Sequence, residues 1–122
     1  MTQDSRRGRI EISPHAIAIL AGHAVLSCYG VVGMASKNLI GGIADLLQPA
    51  RWGRGVDVQV RNGQISVDLY VVVQYGTRIS EVAHGVMNSV KYSLEQALGT
   101  GIAEVNVHVQ GLRLPNDLEQ GA

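Results

Sequence analysis

Apolar and polar residues alternate most regularly between Gly55 and Gly76, in "GVDVQVRNGQISVDLYVVVQYG". Two such runs joined by Asn62-Gly63 predict a hairpin, because that dipeptide best tolerates the two positive φ angles of a type I′ turn. A two-residue loop sets the register. With Arg61 opposite Gln64, Val60 meets Ile65, Val58 meets Val67 and Val56 meets Leu69, so all six apolar residues share one face. Asp57, Gln59, Ser66, Asp68, Tyr70, Val72 and Gln74 occupy the other. The alternation breaks at Val72, an apolar residue where a polar one is due. Parity sends Val71 and Val73 inward and leaves Val72 beside Tyr70 on the open face.

Upstream, the period changes from 2 to 3.6. Ser13 is placed as an N-cap and Pro14 as the first helical residue, with Ile12 positioned to staple against Ile17. Ile17, Leu20, Ala21, Ala24, Val25 and Cys28 follow at helical spacing and predict about four turns ending near Gly30. A second helix follows Gly76, with Ile79, Val82, Ala83, Val86, Val90, Leu94 and Leu98 in one stripe and Gly99 as its stop. Alternation resumes in "AEVNVHVQGLRL": Val105, Val107 and Val109 point inward, and Asn106, His108 and Gln110 outward. Gly111 predicts a bulge that returns Leu112 to the core side. With a short edge strand at "RIEI", the order is β-α-β-β-α-β. This is an α+β, two-layer sandwich: two helices on one face of a small mixed sheet.

The 122 residues suffice for one domain that buries about two thirds of its unfolded-chain surface. Residues 1–8 and 115–122 are polar and aperiodic and are expected to be flexible tails around a domain at 9–114. Between 34 and 54 the pattern weakens, and Gly41 and Gly42 would each cost a helix about 1 kcal/mol. A connection with a helical turn or two is expected there. Trp52, between two arginines in "RWGRG", is an anchor for that loop or a contact for a partner. Ten basic and ten acidic residues cancel, which removes the basic footprint of most nucleic-acid binders. Cys28 is alone, the N-terminus lacks a signal-peptide core, and no apolar run reaches the length of a membrane span. A cytoplasmic location without membrane insertion is expected.

The chemistry-bearing residues form no familiar constellation. His15, His23 and Cys28 lack the i, i+4 spacing of a helical metal site, and no "GxSxG" surrounds any serine. "GVVGMASKN" does not match a phosphate loop, and "GRG" at 53–55 leads into a strand rather than a helix. Asp57 opposite Asp68 is an unfavourable like-charge pair that a nearby cation would relieve and solvent would tolerate. No acid is placed by sequence to orient a histidine base. Neither cofactor nor metal is implied, and no catalysis is expected. An open sheet backed by helices is also how some RNA-binding modules are built, so a single-stranded nucleic-acid-binding module is the alternative reading. Its face would offer one aromatic, Tyr70, and one clear base, Arg61.

Five separated stretches, "IEISPHAIAILAGHAV" with "CYGVVGMAS", "GVDVQV", "VDLYVVVQYGTRISEVAHGV" and "VNVHVQGLRL", together resemble the alkaline shock protein family, envelope stress response proteins found mainly in Gram-positive bacteria. The likeness runs from Arg9 to Leu114. One departure is His15, where the family usually places an acid; its loss weakens the charge at the helix start. The resemblance implies a cytosolic, non-enzymatic protein. Some members gather at the membrane through an integral-membrane partner, and short members are often encoded beside a dihydroxyacetone-kinase-like fatty acid kinase. A binding or scaffold role in the envelope stress response, with self-association and a protein partner, is therefore expected. The residues supply two candidate docking patches: Tyr70, Val72 and His108 on the open sheet face, and Ile19 and Leu26 off the buried stripe of the first helix. Trp52 is a third candidate contact.

Overall fold

A computed structural model describes residues 2–5, 7–35, 55–102 and 104–114. In chain order they form β1 (Thr2–Ser5), β2 (Gly8–Glu11), α1 (Pro14–Leu26), β3 (Val31–Met34), β4 (Val56–Arg61), β5 (Gln64–Gln74), α2 (Ile79–Leu98) and β6 (Glu104–Arg113). The α+β class and the two-helix layer are as the sequence predicts. Two strands are additional. β1 falls in the expected tail and pairs antiparallel with β2, Thr2 opposite Glu11, in a two-stranded sheet of its own. The "RIEI" strand is thus an edge of this hairpin and not of the main sheet. Backbone pairing needs no apolar alternation, so "TQDS" carries no signal for it. β3 starts just past the expected helix end near Gly30 and reaches the start of the connection, so Met34 is strand. Trp52 and the rest of the connection from 36 to 54 lie outside the described residues, as does the 115–122 tail.

The main sheet is built around β5. The hairpin register is the predicted one, from Arg61 opposite Gln64 to Val56 opposite Leu69. Asn62 and Gly63 take φ of 52° and 76° at the turn, the left-handed pair that the type I′ geometry requires. β4 covers the first half of one edge of β5, and β3 covers the second half of the same edge. The handover falls at Tyr70, whose N–H donates to the Gly55 carbonyl (2.8 Å) and whose carbonyl accepts from the Ala35 N–H (2.8 Å). The chain therefore leaves the sheet and rejoins it at a single residue. Gly55 makes this closure at φ 77°, where a Cβ would lie 2.5 Å from the Ala35 oxygen. On the opposite edge β6 runs parallel to β5, joined to it through α2, and its register shifts between Val109 and Gly111. The predicted bulge is there, with Gln110 as the extra residue.

Both helices cover one face. Ile65, Val67, Leu69, Val71 and Val73 from β5 join Ile17, Ala21 and Val25 from α1 and Val82, Val86, Val90 and Leu94 from α2 in one buried cluster. The Ser13 hydroxyl accepts from the Ala16 N–H at 3.1 Å, the predicted cap, with Pro14 as the first helical residue. At the far end of α2 the Gly99 N–H returns to the Glu95 carbonyl at 2.9 Å. The buried side of α1 is rotated from the expected stripe: Ala18 and Gly22 are buried, Leu20 is 40% exposed and Cys28 is half-buried. α1 lies against α2 as well as against β4 and β3. Ala18, Ala21, Gly22 and Ala24 give it a narrow surface that admits both neighbours, and helix spacing follows side-chain size.

Candidate functional site: the open sheet face

The face of β5 turned away from the helices carries Ser66, Asp68, Tyr70, Val72 and Gln74, all partly exposed. Its neighbours complete the rows. Asp68 lies between Asp57 on β4 and Asn106 on β6, and Tyr70 pairs with His108 on β6. Val72 lies between Gly33 on β3 and Gly111 on β6. Two neighbours without side chains explain why Val72 is reachable: a Cβ on Gly111 would stand 3.7 Å from its methyl group. A hollow of about 270 Å³ lined by Gly55, Val56, Asp57 and Tyr70 opens on the β4 side of Tyr70.

The centre of the face is held by His108. Its ring stacks on Tyr70 with centroids 4.7 Å apart and planes 13° from parallel. Its Nε2 lies 3.0 Å from Asp68 Oδ1. The imidazole is thus pinned by a ring and a carboxylate from two successive open-face positions of β5. The sequence alone places no acid to orient a histidine; the fold brings Asp68 to His108, which gives this member of the opposed Asp57–Asp68 pair a partner that is neither Arg, Lys nor a metal ion. An N–H donated to a carboxylate lowers the cost of the like-charge pair. The Asp68–His108 contact spans 40 positions in sequence and depends on the parallel β5–β6 register, which no local turn sets. Among the described residues no group of three or more His, Cys, Asp and Glu is arranged to hold a metal ion.

The predicted patches separate. Tyr70, Val72 and His108 come together on the sheet, whereas Ile19 and Leu26 lie in the helix layer, Ile19 half-buried and Leu26 49% exposed. Among the described residues a cavity of about 600 Å³ lies on the helix side between the end of α1 and α2, lined by Cys28, Tyr29, Arg78, Val82, Gly85 and Val86 among others. Periodicity along the chain does not reveal it, since its lining residues belong to separate runs. Tyr29, 84% exposed, is the available signal: a large ring just past a helix end with no place in its stripe.

Among the described residues, two helices on one side of a mixed sheet and an aromatic-centred opposite side that none of them covers define an open-faced α+β domain. The chain belongs to the alkaline shock protein 23 family, described as having a cell envelope-related function, whose model matches residues 2–114. It is 47% identical over 113 residues to the uncharacterized protein YloU of Bacillus subtilis (strain 168), covering 92% of this chain and 94% of that one. It is 39% identical over 112 residues to the uncharacterized protein Spy1614 of Streptococcus pyogenes serotype M6, covering 91% and 93%. A third relative, the uncharacterized protein YqhY of Bacillus subtilis, is 29% identical over 118 residues, covering 97% and 87%. No solved structure matches the chain. Among the described residues no helix is long and apolar enough to cross a membrane.

Proposed function

We propose that this chain is a non-enzymatic binding or scaffold protein serving the cell envelope from the cytoplasmic side, acting through self-association and the docking of a protein partner, including one anchored in the membrane. The observation that carries the reading is the Tyr70–His108 stack beside glycine-flanked Val72 on a sheet face that no described element covers. Family membership supplies the envelope connection. An amphipathic ring and a shallow apolar step on a rigid sheet suit a protein surface, where aromatic residues are enriched in the buried centre of contacts. The pinned imidazole leaves little side-chain freedom to lose on docking.

The nucleic-acid alternative gains nothing from this face. One side of the Tyr70 ring is already occupied by His108, and the carboxylates of Asp57 and Asp68 lie where a backbone phosphate would need cations. The test is photo-crosslinking in cells from position 72, with the exposed helix position Lys91 as control, followed by mass spectrometry. Discrete adducts from position 72 that vanish in Tyr70→Ala are expected. Identical adduct patterns from both positions would sink the docking reading. Tight, steeply salt-dependent binding of mixed single-stranded RNA would replace it with the alternative.

A further inference from the structure

The proposed self-association leaves open where two copies meet, and the structure offers two unequal edges. One is interrupted at Tyr70, where β3 gives way to β4. The other is β6, ten residues long, which among the described residues pairs with β5 alone. Tyr70 directs its peptide groups toward Gly55 and Ala35, so alternation turns those of Leu69 and Val71 toward β6. In a parallel ladder these bonds land on the residues flanking Val107 and Val109, which leaves Val105, Val107 and Val109 to send their N–H and C=O groups outward. Beyond the bulge the Arg113 carbonyl points inward to the Tyr75 N–H (3.0 Å), so Leu112 points outward too. An unpaired edge of this length is a template for another strand.

We propose that two copies of this chain pair antiparallel along β6, with the two-fold axis at His108; this deepens the self-association part of the function proposed above. With Gln110 bulged out, that axis sets Val107 opposite Val109, Asn106 opposite Gly111, Val105 opposite Leu112 and Glu104 opposite Arg113. Every pair keeps both members on the same face of the joined sheet. The outward-bonding residues meet outward-bonding residues. Apolar residues on the helix side meet apolar ones, which covers side chains that the single copy leaves progressively bare, from Val105 at 5% exposure to Leu112 at 41%. Both ends gain opposite charges across the pair. Sliding by one pair in either direction puts Glu104 opposite Gly111 or Arg113 opposite Asn106, and both charge pairs are lost. The result is one open face six strands wide with its two Tyr70–His108 stacks side by side about the axis.

Disulfide trapping tests the register. Residues facing each other at a non-hydrogen-bonded antiparallel position have Cα atoms about 4.5 Å apart, within disulfide reach. In a Cys28→Ser background, His108→Cys is expected to form a covalent dimer on mild oxidation, and Asn106→Cys, facing Gly111, is not. Absence of the His108→Cys dimer, or equal trapping through Asn106→Cys, overturns the register. In sedimentation equilibrium Glu104→Arg and Arg113→Glu should each weaken association about tenfold at low salt, and the double swap should restore it. Val107→Pro, which removes an outward N–H without touching the β5 ladder, should leave a folded monomer. Association unchanged by these variants overturns the edge. If Val72→Asp loses the cellular adducts read from Gln74 while the edge variants stay dimeric, the docking face stands and this edge falls. Dimers lost at the edge with position 72 silent give the reverse.

Discussion

Val71 and Val72 are identical side chains one residue apart on β5, yet Val71 is fully buried and Val72 remains accessible. What differs is the covering. α1 and α2 seal one face, and among the described residues the other is left to its own side chains, thinned by Gly33 and Gly111 on either side of Val72. Burial here is a property of the layer and not of the residue. The contrast extends to chemistry: every titratable group of β5, Asp68 and Tyr70, is on the face away from the helices, where the carboxylate finds a histidine and the ring finds an aromatic partner.

The largest effect expected from breaking this contrast is that of Val71→Asp. A carboxylate placed in the apolar cluster has no partner, and the cost of several kcal/mol is comparable to a total stability of about 5 to 15 kcal/mol. Circular dichroism should show an unfolded or barely folded chain at about 25 °C. A melting temperature near that of wild type would mean that the helices do not seal this face.

Gly55→Ala comes next. The added Cβ meets the Ala35 carbonyl at 2.5 Å in a left-handed conformation, so the closure of the chain on Tyr70 must shift. A loss of about 2 to 3 kcal/mol is expected in urea denaturation, along with faster exchange of the Tyr70 amide. Gly63→Val, at the hairpin turn, should cost more than about 1 kcal/mol through its positive φ alone, since a Cβ there meets nothing within 4 Å. An unchanged denaturation midpoint would contradict the turn.

The smallest effect on stability sharpens the comparison. Val72→Asp should melt within a few degrees of wild type, because its side chain is already in reach of water. Its expected consequence is weaker partner capture, measured by the crosslinks from a neighbouring open-face position such as Gln74. Melting like Val71→Asp would show that a second layer covers this face.

Much of the fold is legible along the chain wherever the interaction is local. The Asn62-Gly63 turn admits one register for β4 and β5, and that register alone sets Asp57 opposite Asp68. Ser13 and Pro14 mark the start of α1 because a cap acts within one turn, and the four buried residues of the α2 stripe repeat at helical spacing. Contacts between distant segments are not legible in this way. Leu20 and Ala18 both sit on an apolar helix, and the way α1 packs against α2, β4 and β3 decides which one is buried. β3 is four residues without alternation that become a strand because β5 has an edge left to fill. The Asp68–His108–Tyr70 cluster depends on how a parallel strand, returning after a 20-residue helix, slides against β5. Short-range sterics determine turns, caps and parity one residue at a time, and these the sequence contains by itself. Which strand lies beside which, and in what register across a long connection, is a minimum of packing over the whole domain, and only the tertiary structure decided it.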